Sequence, residues 1–131
     1  MSGANNVSFA PQLHIKSGVR DIDFYAKAFG ATEARRWINE DGSVHVAELN
    51  IEEATFYLHE EKPEEGFFAP DRCEGVTCTI SLFVPYVNMA MEAAVAAGAI
   101  EISPARNYEY GYRQGKIKDP FGHYWLLQMK I

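Results

Sequence analysis

The chain has 131 residues, 47% of them apolar and 23% charged, which is one domain's length with the composition of an ordinary globular protein. Its net charge of −6, from 12 Lys and Arg against 18 Asp and Glu, argues against a nucleic-acid partner, and no basic cluster offsets it. No apolar run reaches the length of a membrane span, and Met1 to Ser8 lacks the basic start and apolar centre of a secretion signal.

In chain order, residues 1–8 read as a flexible tail ahead of a single domain at 9–131. Gln12 to Lys16 is a strand candidate. Asp21 to Phe29 is helical, with Ile22, Tyr25, Ala26 and Phe29 on one face, and Gly30 suits the left-handed residue that ends a helix. Three strands follow at Glu33–Ile38, Val44–Ile51 and Thr55–His59, with a hairpin turn at Glu40-Asp41-Gly42. The Glu-, Pro- and Gly-rich stretch from Glu60 to Gly75 is a connection. The same order then returns. A strand at Thr77–Val84 precedes a helix at Val87–Ala97, with Ala90, Met91, Ala94 and Val95 on one face and Gly98 at its end. Strands follow at Glu101–Ile102, running towards Tyr108, at Tyr112–Lys118 and at Tyr124–Met129. Cys73 and Cys78 are too few and too loosely spaced for a disulfide framework or zinc knuckle, and read as reduced thiols of a cytoplasmic protein.

The two halves are a repeat. Gly30-Ala31-Thr32-Glu33 recurs as Gly98-Ala99-Ile100-Glu101, and Phe56-Tyr57-Leu58 matches Trp125-Leu126-Leu127. Each half is βαβββ and too small to bury its own sheet. The expected fold is α+β: two tandem modules, 9–60 and 76–130 joined by 61–75, forming a curved, partly closed mixed sheet around a cup. Such a cup is a natural place for a small ligand.

The turn Asp119-Pro120-Phe121-Gly122 runs straight into the apolar strand around Tyr124-Trp125-Leu126-Leu127. This hairpin, with the duplication, resembles the vicinal-oxygen-chelate superfamily of glyoxalases, bleomycin-resistance proteins and extradiol dioxygenases. The helix Ile22-Asp23-Phe24-Tyr25-Ala26-Lys27-Ala28-Phe29-Gly30-Ala31 is similar to the corresponding helix of its PhnB-like branch. Tyr110-Gly111-Tyr112-Arg113 followed by Asp119 to Trp125 resembles that branch's second signature, with Tyr112 where the branch usually has Asp. The resemblance implies metal ligands at the start of each half's first strand and in each half's last strand. Those positions map here to Pro11, Tyr57, Thr79 and Leu126, a set that predicts no divalent metal and no other cofactor.

Other residues can be weighed for chemistry. His14 lies three positions past Pro11, an odd step that predicts the opposite sheet face. His45 and Glu48 are also an odd step apart. Glu48, within Val46-Ala47-Glu48-Leu49, is a weak candidate for a general base. Tyr110, Tyr112 and Arg113 offer stacking and bidentate bonding to a flat or anionic molecule. Tyr57, Thr79 and Trp37 complete the expected ligand-binding set, and Trp125, by parity with Leu126, should pack under a helix. The resulting expectation is a metal-free protein that binds a small organic ligand, aromatic or anionic, with the question of catalysis left open. The alternatives are a metal-dependent lyase or isomerase using a displaced His/Glu site, and an interaction module with a filled cup. The resemblance also implies a homodimer, with halves paired within one chain or between two.

Overall fold

The computed structural model describes residues 6–72 and 75–131. Cys73 and most of the tail expected at 1–8 therefore lie outside the described residues. The elements run β1 (Gln12–Ile15), α1 (Phe24–Phe29), β2 (Thr32–Ile38), β3 (Val44–Ile51), β4 (Ala54–Glu60), β5 (Thr79–Phe83), α2 (Val87–Ala96), β6 (Ile100–Tyr108), β7 (Tyr112–Lys118) and β8 (Tyr124–Lys130). The βαβββ unit thus occurs twice. Short 3-10 turns at Pro63–Glu65 and Pro70–Arg72 punctuate the connection.

Each half makes a four-stranded mixed sheet, ordered β1-β4-β3-β2 and β5-β8-β7-β6. The first strand of each half runs parallel to the last, and the other pairs are antiparallel. Alternation assigns the faces. Leu13, Ile15, Ala47, Leu49, Phe56 and Leu58 turn inward in the first sheet, as do Ile117, Trp125 and Leu127 in the second. Both helices lie on these inward faces and touch each other. In α2 the buried residues Val87, Met91 and Ala94 repeat at helical spacing. Among the described residues no α-helix lies on the opposite face of either sheet, although Phe67 of the connection stacks on His14 there at 4.9 Å.

Two boundaries differ from the pattern-based expectation. Helix α1 begins at Phe24 because the Asp21 carboxylate accepts the Asp23 N–H at 2.9 Å, holding Asp21–Asp23 in a turn. Strand β6 is continuous to Tyr108 although Pro104 sits inside it. It is an edge strand with register shifts around Ser103, so the missing N–H breaks no ladder bond that the sheet needs.

The halves are locked by an aromatic cluster and one carboxylate. Tyr25 of α1 packs against Phe56 of β4 and Trp125 of β8, with ring centroids 5.2 and 5.7 Å away. Asp119 is 3% exposed and accepts four hydrogen bonds. Oδ2 takes the Tyr25 hydroxyl at 2.5 Å and the Trp125 indole N–H at 2.9 Å. Oδ1 takes the backbone N–H groups of Phe121 and His123 at 2.9 and 3.0 Å. Burial, then the neighbouring Asp119 charge, holds the Tyr25 hydroxyl well above the ordinary tyrosine range. Gly122 closes the turn at φ +98°, where a side chain would be strained. The turn that identifies the hairpin is therefore a structural clasp between α1 and β8. Trp125 packs under the helix as its parity predicts.

Candidate ligand site

The open faces are read as rows across the sheets, because residues opposite each other share a face. In the first sheet one row is Gln12, Tyr57, Glu48 and Arg35, and the next is His14, His59, Val46 and Trp37. In the second the rows are Thr79, Tyr124, Lys118 and Ile100; Ser81, Leu126, Lys116 and Ser103; Phe83, Gln128, Gln114 and Arg106; and Lys130, Tyr112 and Tyr108. A groove of about 670 Å³ runs along the seam between the halves and is lined by Glu48, Thr55 and Tyr57 on one side and Ser81 on the other. That size suits a small organic ligand.

The expected site residues are distributed unevenly over this surface. Tyr57, Thr79, Tyr112 and Trp37 lie on open faces, and Tyr110 stands at the tip of the β6–β7 hairpin. The Tyr110 ring stacks on Tyr108 at 5.4 Å and reaches Tyr112 at 5.9 Å. Trp37 is 45% exposed with the Arg35 guanidinium over its ring at 5.7 Å. Glu48 also faces outward, 3.7 Å from Arg35. Arg113 does not join them. It lies on the helix side, where its Nε and Nη2 donate to Asn88 Oδ1 of α2 at 3.0 and 2.9 Å and its Nη1 to Asn107 at 3.0 Å.

The four positions where the resemblance implies a metal do not fit one. The Pro11 carbonyl already accepts the Tyr57 N–H at 2.9 Å, and Leu126 offers only hydrocarbon. Two hydroxyls, those of Tyr57 and Thr79, make a poor divalent-ion site.

His14 needs a correction. It shares the open face with Tyr57, because β1 pairs Gln12, not Pro11, across from Tyr57, and His14 across from His59. Counting from Pro11 reversed its side. Burial, then the nearby His59 and His123, holds the His14 imidazole below its ordinary value.

Sequence reasoning missed two features of the second sheet. A hydrogen-bonded chain crosses its open face: the Tyr110 hydroxyl donates to Gln114 Oε1 at 2.6 Å, Gln114 Nε2 to Gln128 Oε1 at 2.8 Å, and Gln128 Nε2 to the Ser81 hydroxyl. The same face carries Lys116, Lys118, Arg106 and Lys130, and among the described residues none of them has a carboxylate within 4.0 Å. The rows hold no acidic residue. In a chain of net charge −6 this is a local inversion of sign.

Among the described residues no helix is long and apolar enough to cross a membrane. Several known proteins are similar to this chain in sequence or in fold. An uncharacterized protein of Mycobacterium tuberculosis is 33% identical over 127 residues, covering 95% of this chain and 75% of the relative. The Arabidopsis thaliana gene product At5g48480 has a crystal structure that superposes with a TM-score of 0.69 at 28% identity, covering 92% of this chain and 97% of that one. At fold level, TioX from Micromonospora sp. ML1 matches with a TM-score of 0.70 at 21% identity over 95% of this chain and 97% of its own. The fosfomycin resistance protein FosX of Mesorhizobium loti matches with 0.67 at 14% identity, over 96% and 93% respectively. The family model for the glyoxalase/bleomycin resistance protein/dioxygenase superfamily matches residues 16–127, and the chain belongs to that superfamily.

Proposed function

We propose that this protein is a PhnB-like member of its superfamily that binds a small aromatic anion on the open face of the second sheet and in the adjoining groove, without a metal ion to hold the ligand. One observation carries the reading. Arg106, Lys116, Lys118 and Lys130 are unpaired among the described residues and interleaved with Phe83, Tyr108, Tyr112 and Tyr124. Cations set among aromatic faces favour a flat ring bearing a carboxylate, phosphate or sulfonate. Exposed Phe83 and Tyr110, 58% and 62% accessible, supply apolar surface for that ring. FosX, a resistance protein of the same fold, is consistent with a role in handling small molecules.

The same reading includes a homodimer, in which a second copy covers part of the open faces, and a cytoplasmic location where the exposed Cys78 stays a free thiol. No nucleophile or acid–base pair is assigned to a reaction. The test is calorimetric titration of aromatic carboxylates, phosphates and sulfonates into protein kept in chelator. Saturable binding that weakens with salt and falls at least about tenfold in Lys116→Ala or Arg106→Ala supports the reading. Binding only of neutral compounds, or binding abolished by chelator, overturns it.

A further inference from the structure

We infer that the ligand of the second sheet is an aromatic anion with a hydrogen-bond acceptor at the end opposite its charge, and that the Ser81 hydroxyl donates to that acceptor. This rests on the aromatic-anion reading above and narrows it. The register of the sheet supplies the first observation. Ser81 of β5 lies directly across from Leu126 of β8, and Leu126 directly across from Lys116 of β7. One row of the face therefore runs hydroxyl, hydrocarbon, cation. Adjacent strands stand roughly 4.8 Å apart, which puts Ser81 and Lys116 roughly 10 Å apart at the backbone. A single ring resting on half-buried Leu126 fills that span, with one substituent towards each end. Phe83, diagonal to Leu126 on the same face and 58% exposed, supplies a wall for the ring.

The second observation sets the direction of the hydroxyl. The Tyr110 hydroxyl donates to Gln114 Oε1 at 2.6 Å, Gln114 Nε2 to Gln128 Oε1 at 2.8 Å, and Gln128 Nε2 to Ser81 Oγ. Every member donates towards Ser81, so the Ser81 oxygen is engaged as an acceptor and its own hydrogen is left for a further partner. Ser81 is exposed and lines the groove between the halves, so that partner comes from solvent or from a ligand. Hydrogen bonds in series polarise one another, which makes this terminal hydroxyl a better donor than an isolated serine. Gln128 is 6% exposed and commits its carbonyl to Gln114 and an N–H to Ser81. It is therefore a positioning residue, acting on the ligand through Ser81.

Charge assigns the two ends of the ligand. Lys116 has no carboxylate within 4.0 Å among the described residues, so the anionic group belongs at its end of the row. The groove beyond Ser81 is lined by Glu48 and Glu53 and, among the described residues, by no Lys or Arg. A second negative charge entering it is repelled, so the end that reaches Ser81 is neutral. The fitting class is an aromatic carboxylate, phosphate or sulfonate with a ketone, ester, amide or nitro oxygen at the opposite side of the ring.

The test compares 4-acetylbenzoate with 4-isopropylbenzoate, which matches it in shape and charge but lacks the acceptor, by calorimetric titration of the full chain in chelator. Wild type should bind the acetyl compound about threefold to tenfold more tightly. Ser81→Ala should abolish that preference without weakening the isopropyl compound, and Ser81→Thr should keep it. Gln128→Met, which retains volume but removes the amide, should reduce the preference at unchanged isopropyl affinity, a change that a merely structural role would not produce. Circular dichroism establishes that each variant is folded, and the exposed Ser81 keeps the test open if Gln128→Met is not. Equal wild-type affinity for the two compounds, with binding still weakened by salt and by Lys116→Ala, overturns the inference and leaves the aromatic-anion reading standing. A preference that survives Ser81→Ala, or failure of both compounds to bind where other aromatic anions do, likewise overturns it. Both ideas fall if no aromatic anion binds.

Discussion

Replacing Asp119 by Asn tests whether the signature turn is a structural clasp. The wild-type carboxylate receives two donors on each oxygen and is 3% exposed. An amide must place its NH₂ against one of those donor pairs. On the Tyr25 and Trp125 side the hydroxyl can turn to accept, but the indole N–H cannot. On the Phe121 and His123 side two backbone N–H groups are stranded. One stranded buried donor costs about 1–3 kcal/mol, and losing charge assistance in the remaining bonds adds roughly 1 kcal/mol. The expected loss is about 2–4 kcal/mol. At about 2.1 cal/mol/K of unfolding entropy per residue over 131 residues, that lowers Tm by roughly 7–15 °C. Tyr25→Phe should cost only about 1.5 kcal/mol, because Oδ2 keeps its Trp125 bond. Urea unfolding followed by Trp125 fluorescence and circular dichroism measures both. An Asp119→Asn variant within about 0.5 kcal/mol of wild type, or one less damaging than Tyr25→Phe, would refute the reasoning.

Arg113→Ala should leave ligand binding unchanged while loosening the tie between β7 and Asn88, detectable as a small fall in Tm. Gly122→Ala should cost about 1–3 kcal/mol in a urea melt, since φ is +98° and an added Cβ would lie 3.0 Å from Pro70 Cβ. The Arg72 hydrogen bond, aided by the Ala69 N–H, holds the Glu61 carboxyl below its ordinary value. Its stabilisation is therefore complete above about pH 4.5 and is lost as pH falls through the folded value. A stability–pH profile should flatten over that acid range in Glu61→Gln, and an unchanged slope would count against the Glu61 account.

The duplicated βαβββ order was legible because Gly30 and Gly98 end matching helices and because strand alternation is clean around Leu49, Leu58 and Trp125. Strand β6 was only partly legible, since Pro104 reads as a strand breaker until its edge position is known. The site was harder. Tyr112 and Arg113 are neighbours on one strand and must point to opposite faces, so the sequence already separated them. Which of the two faces the ligand depends on the side taken by Gly115 and Ile117 beneath α2, a tertiary fact. The patch of Lys116, Lys118 and Arg106 on one face emerges only from the register of β6, β7 and β8, across bulges that no local pattern marks. His14 was placed on the wrong face by a one-residue error in origin, which inverts every side chain of a strand.

The central claim, a metal-independent aromatic-anion site on the second sheet, is tested most directly by a crystal structure of the protein with its tightest-binding aromatic anion, grown in chelator. The account predicts the ring against Phe83, Tyr110 or Tyr112 and the anionic group within hydrogen-bonding distance of Lys116 or Arg106. A ligand on the helix side, or one held through a metal ion at Tyr57 and Thr79, would contradict it.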